Sequence, residues 1–184
     1  WYRRQARLGG QAKAMVVSDS CGEAVRDKKA FDDYIRKMKY TDCKALVAYS
    51  GEVTDEESKV LKAKEGDLND YKEHDDGIKE AFKTDTYQVL IVASKFQTGF
   101  DQPKLCAMYV DKKLQGVLAV QALSRLNRCN WKLGKTDTFV LDFYNTVDDI
   151  KAAFDPFYTA TTLSEPTDVN VLHDLKDVLD NFGI

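Results

Sequence analysis

The chain has 184 residues, 27 basic against 30 acidic side chains for a formal net charge of -3, and 43% hydrophobic residues. That length buries one sizeable core, and the composition is that of an ordinary globular chain with no apolar run of membrane-spanning length. The acidic balance argues against a free-standing nucleic-acid binder, which carries a strong basic surplus.

The chain opens at Trp1 without methionine, and residues 1–10 hold three arginines and end Gly9-Gly10. This reads as a linker from an upstream domain and marks the sequence as a piece of a longer polypeptide. Cys21, Cys43, Cys106 and Cys129 are widely spaced, and the only histidines are His74 and His173. The pattern argues against zinc and for reduced thiols in a cytoplasmic protein.

Lys13 to Val17 reads as a short buried strand. Ser20 with Glu23 three residues later fits a capping box, and Ala24, Phe31, Tyr34, Ile35 and Met38 recur at helical spacing. Ser18 and Ser20 are open to two readings, contact with a DNA phosphate or a helix cap, and the local pattern favours the cap. Lys44 to Tyr49 is a second strand, and Ser50-Gly51 follows it. Glu52 to Asp76 is charge-dense with a glycine at 66, and is expected to be a solvated insertion or mobile loop, or else an acidic docking surface. Ile78, Ala81 and Phe82 form the apolar face of a short helix.

Residues 88–128 organise the rest. Val89-Leu-Ile-Val-Ala93 lacks polar alternation and fits a strand buried on both faces of a parallel sheet. The loop beyond it, Ser94 to Pro103, emerges where open α/β sheets bind ligands. Gly99 allows close backbone approach, Asp101 offers a carboxylate to a ribose hydroxyl, and Pro103 stiffens the exit. Leu105 to Val110 is the next strand. A helix follows Gly116, with Val117, Val120 and Leu123 or Ser124 expected to face the sheet. Arg125 and Arg128, three apart with Gln121 a turn earlier, would share one face and form an anion-binding pair. Thr138 to Phe143 is a fifth strand, and Val147 to Phe154 a further helix. Five strands alternating with helices predict a doubly wound, mainly parallel sheet of five to six strands. Beyond Asp155-Pro156 the pattern weakens until Leu172, Leu175, Leu179 and Phe182 recur at helical spacing. Gly134-Lys135-Thr136 is not a P-loop, because Cys129 stands where the first glycine belongs and the tripeptide precedes a strand. Asp111-Lys112-Lys113 reads as a solvated loop.

The segments FQTGFDQP (96–103) and QALSRLNR (121–128) resemble motifs V and VI of the second RecA-like lobe of superfamily 2 helicases. With MYVDKKL (108–114) and TFVLDFYN (138–145), the wording is most similar to the R (restriction and motor) subunit of type I restriction enzymes, over about residues 11–163. Ala93 and Ser94 stand where many helicases carry a Thr-Asp pair. The resemblance implies that residues 11–160 are a second RecA-like lobe and that 161–184 are a connector leading into a helical segment. It implies Arg125 and Arg128 as catalytic residues, with Arg128 as arginine finger. Gly99, Asp101 and Gln121 join them in binding ATP, whose Mg2+ is held mainly by an absent first lobe. Ser18, Ser50, Gly51, Ser94, Lys95 and Thr98 are DNA-contact candidates. The implied partners are double-stranded DNA, the first lobe and a nuclease domain of the same polypeptide, and modification and specificity subunits. The implied parent is an ATP-dependent DNA translocase and endonuclease. Two rival readings are another superfamily 2 motor, such as a remodelling ATPase, and a non-catalytic α/β interaction module.

Overall fold

The computed structural model describes residues 8–57, 59–70, 77–96, 100–126, 132 and 134–161. Five parallel strands form one sheet in the order β2-β5-β1-β6-β7, namely β1 (Lys13–Ser18), β2 (Ala45–Ala48), β5 (Val89–Ala93), β6 (Leu105–Asp111) and β7 (Phe139–Asp142). All five coincide with the strands expected from the sequence. Every residue of β2 and β5 is buried, as unbroken apolar runs require when helices cover both faces. This is the expected doubly wound arrangement, with the five parallel strands covered by helices on both faces.

One face packs Met15, Val17, Leu90, Val92 and Met108 under α2 (Gly77–Lys83), α3 (Gly116–Leu123) and α4 (Val147–Thr161). The opposite face packs Val47, Val89 and Ile91 under α1 (Cys21–Lys37). α1 starts at a complete capping box: the Glu23 N–H donates to Ser20 Oγ at 3.2 Å, and the Ser20 N–H donates to the Glu23 carboxylate at 3.1 Å. Beside α1 an apolar groove of about 440 Å³ is lined by Phe31, Tyr34, Ile35, Tyr109 and Phe143, among others.

Lys13 is 1% exposed at the foot of β1. Its Nζ donates to the carbonyls of Thr84 (2.7 Å) and Tyr87 (2.5 Å) and lies 4.8 Å from the centre of the Phe82 ring. It thus places a cation beside carbonyls just past the C-terminus of α2. Burial, with Lys104 nearby, pulls its pKa down to about 8.

Three expectations need correction. Residues 52–76 do not read out as one solvated loop. β3 (Val53–Asp55) and β4 (Val60–Ala63) form an antiparallel hairpin, followed by a 3-10 turn over Glu65–Leu68. The hairpin buries Val53 and Ala63 and is tied to α1 by Arg26, which pairs with Asp55 (3.4 Å) and Glu57 (2.8 Å). Residues 71–76 lie outside the described residues. On α3 Leu123 packs against the core as expected, but the fully buried residue is Ala119, while Val117 is exposed, so the expected face holds only in part. α4 runs past Asp155-Pro156 to Thr161. Pro156 removes one backbone donor, and α4 nevertheless packs Ala153 and Ile150 into the core. Residues 1–7 and 162–184, including the closing leucine stripe and nearly all of the expected connector, lie outside the described residues. Among the described residues no helix is long and apolar enough to cross a membrane.

Candidate functional site

The strand order sends the chain from β1 toward β2 on one side and from β6 toward β7 on the other. The carboxyl ends of β1 and β6 therefore flank the place where doubly wound sheets open a crevice. Ser18 and Asp111 are register partners there. Ser18 is fully buried, and its Oγ donates to Asp27 Oδ2 at 2.7 Å, which takes this DNA-contact candidate off the surface. Burial pushes the Asp27 carboxyl up; Asp111 and Glu23 add repulsion, and the Ser18 hydrogen bond opposes the rise.

The chain leaves β5 under strain. Ser94 and Phe96 both adopt left-handed backbone, with φ of 53° and 60°. Aromatic packing holds the loop down: Phe96 lies 5.2 Å from Phe100, which lies 6.0 Å from Phe82. Between the two strained residues, Lys95 turns toward the end of β2, where its Nζ sits 2.5 Å from Glu65 Oε1. Ser94, Ser50 and Gly51 are exposed at the carboxyl ends of β5 and β2, and Gly51 needs its freedom at φ 85°. Gln97, Thr98 and Gly99 lie outside the described residues. Asp101 is exposed and lines a separate hollow of about 330 Å³ with Lys79, Glu80 and Lys83 of α2.

α3 ends at Leu123, and Ser124 to Leu126 continue as hydrogen-bonded turns, with the Leu126 N–H donating to the Leu123 carbonyl at 3.1 Å. Arg125 is 8% exposed, and its Nε donates to the Gln121 carbonyl at 3.1 Å, which orients the guanidinium plane against its own helix. The Gln121 side chain is exposed. Arg128 lies outside the described residues, so the expected shared face with Arg125 does too. What the fold brings together is Lys95, Lys112 and Arg125, which line one narrow slot between the sheet and α3 with Phe96 and Leu118. Among the described residues no carboxylate lines this slot, and its volume of about 20 Å³ admits little more than a water, so an anion would sit across its mouth.

Sequence reasoning passed over Lys112, set aside as part of a solvated loop, and Asn145, which had no signal beyond its place in TFVLDFYN. Glu65 was lost in a charge-dense stretch. A residue at the carboxyl end of a buried parallel strand was the available clue for Lys112. Among the described residues no group of three His, Cys, Asp or Glu side chains could hold a metal.

Residues 59–145 match the family model described as type I restriction enzyme subunit R domain 3. The putative type I restriction enzyme MjaVIIP endonuclease subunit of Methanocaldococcus jannaschii is 36% identical over 124 residues, covering 63% of this chain. The match spans 12% of that relative's length. Among solved structures, the Mycobacterium smegmatis helicase Lhr bound to ssDNA and AMP-PNP aligns with a TM-score of 0.48 at 12% identity, over 86% of this chain and 19% of that one. The C-terminal part of the Fun30 ATPase domain aligns at 0.40 and 14% identity, over 94% of this chain and 49% of that one.

Proposed function

We propose, on the similarity of this chain to the R subunits of type I restriction enzymes, that it is the second lobe of an ATP-dependent DNA translocase within a restriction endonuclease subunit. The observation that carries this reading is the slot at the carboxyl edge of the sheet, where Lys95, Lys112 and Arg125 converge with no carboxylate among the described lining residues. Such a set fits the negative charge of phosphate groups. ATP, when bound, supplies the phosphoryl transfer that drives the motor.

The residues of this chain would act on that charge from one side of a cleft. Arg125, oriented by the Gln121 carbonyl, presents its guanidinium to phosphate oxygens, and Arg128 serves as the finger on the γ-phosphate. Gly99 and Asp101 approach the ribose side, and Gln121 links the nucleotide to the DNA side. Ser50, Gly51, Ser94, Lys95 and Thr98 would meet the DNA backbone. No P-loop sequence occurs in the chain, so the triphosphate cradle and the magnesium ligands fall to a first lobe elsewhere in the parent. Double-stranded DNA, a nuclease domain and modification and specificity subunits complete the proposed assembly. The work of this chain is to close on the nucleotide and reopen.

DNA-stimulated ATP turnover by the full-length parent tests the reading, with Arg125→Ala and Arg128→Ala compared with wild type and folding checked by circular dichroism. A loss of about a hundredfold or more with fold intact is expected. Unchanged turnover in both variants would remove the motor reading and leave an α/β interaction module.

A further inference from the structure

The Asp142 carboxylate at the end of β7 accepts from the backbone N–H of Tyr144 (2.9 Å) and of Asn145 (2.7 Å). It also accepts from Asn145 Nδ2 at 2.9 Å. So held, the Asn145 amide spends both its ends on the loop between β6 and α3. Its Nδ2 donates to the Lys112 carbonyl at 2.8 Å, and its Oδ1 accepts the Leu114 N–H at 2.9 Å. The side chain of Leu114 anchors that loop in the core. The backbone on either side of Lys113 is thereby fixed from two strands, and Lys112 lines the slot beside Lys95 and Arg125.

Three cations lining one slot repel one another unless an anion offsets them. Glu65 pairs with Lys95, and the Arg125 Nε donates to the Gln121 carbonyl. Lys112 is half-buried in the same slot and takes part in none of the ion pairs seen among the described residues. We propose that Lys112 binds a phosphate group at the mouth of this slot and that Asn145, clamped by Asp142, is the residue that positions it. The proposal rests on the motor reading for its setting, and the phosphate belongs either to the nucleotide or to the DNA backbone. A lysine serves such a site as a point charge, where the neighbouring arginine offers a planar fork.

The test uses the full-length parent, with a fluorescent ADP analogue and a labelled DNA duplex as probes. Lys112→Ala is expected to weaken one of them by about tenfold, and Lys112→Arg to retain most of the affinity. A nucleotide phosphate would raise the ADP dissociation constant and the KM for ATP with the DNA salt dependence unchanged. A DNA phosphate would weaken duplex binding and lower its salt slope by roughly one. Asn145→Ala should reproduce part of the same defect and add nothing in the Lys112→Ala background, a non-additivity that general loss of stability would not give. Asn145→Asp, which keeps an acceptor for Leu114 and loses the donor to Lys112, serves if the alanine variant does not fold. Wild-type affinity for both probes in Lys112→Ala, with turnover lost in Arg125→Ala, would overturn the proposal and leave the motor standing. Weakened binding in Lys112→Ala with full turnover in both arginine variants would keep the anion site and remove the motor.

Discussion

At one margin of the sheet, Asn69 stands in for a missing strand. Its Oδ1 accepts the Val47 N–H at 2.8 Å, and its Nδ2 donates to the Val47 carbonyl at 2.9 Å and to the Glu65 carbonyl at 2.7 Å. Two residues on, the Tyr49 N–H donates to the Glu65 carboxylate at 3.0 Å, and the Tyr49 hydroxyl donates to the Ala63 carbonyl. At the other margin β7 leaves Val140 42% and Leu141 39% exposed, next to Phe143 at 64%. Both strands are four residues long, and both pair in parallel with a single neighbour. The difference teaches that side-chain amides and carboxylates can end a sheet without another strand, provided a hairpin holds them at the right height. The margin with that closure is also the one whose Glu65 reaches Lys95, so the finish of β2 and the electrostatics of the slot are one construction.

Breaking the closed margin should give the largest effect. Asn69→Ala leaves the Val47 N–H and carbonyl buried without these partners and is expected to cost about 4 kcal/mol, read as a lower urea midpoint for the 184-residue chain. The middle of the sheet should respond to pH through Lys13. Its folded pKa, about 8, lies below the ordinary 10.5, so the unfolded chain binds more protons between those values. Stability should therefore rise with pH across that window, on the order of 2 to 3 kcal/mol, and be flat through this group below it. Lys13→Met should abolish that rise, as urea titrations at pH 8 and pH 10 would reveal. The open margin should respond least. Leu141→Lys is expected to change stability by less than about 1 kcal/mol, since more than a third of the side chain already meets water and the lysine stem can cover the rest. A large loss in the same titration would mean that β7 is closed in solution.

Much of this was legible in the sequence. β1, β2, β5 and β6 announce themselves because strands buried on both faces admit no polar alternation, and the Ser20/Glu23 box marks the start of α1 by local chemistry alone. The hairpin was missed because its four apolar positions, Val53, Val60, Leu61 and Ala63, are diluted by charges that face water, and only Val53 and Ala63 are buried. Nothing local could have shown that Asn69 serves β2 or that Asn145 serves Lys112, because each bond joins residues more than twenty positions apart. The slot was half legible. Arg125 and Lys95 sit in recognisable segments, whereas Lys112 gains its meaning only when β6 is laid beside β1.

The pairing of β1 has a consequence for how the chain comes to be folded. Met15 lies opposite Leu90 on one side and Met108 on the other, so the central strand of this sheet pairs only with strands that lie far along the chain from it. α1 and the hairpin can form from local contacts as soon as their residues are available. The sheet cannot: its nucleus requires closure of a loop spanning most of the described chain, the slow, high-contact-order kind. Until Val89 to Ala93 arrives, Ala14 to Val17 has no strand to pair with, and its second flank stays open until Leu105 to Asp111 follows, which leaves this apolar strand exposed to misassociation during synthesis.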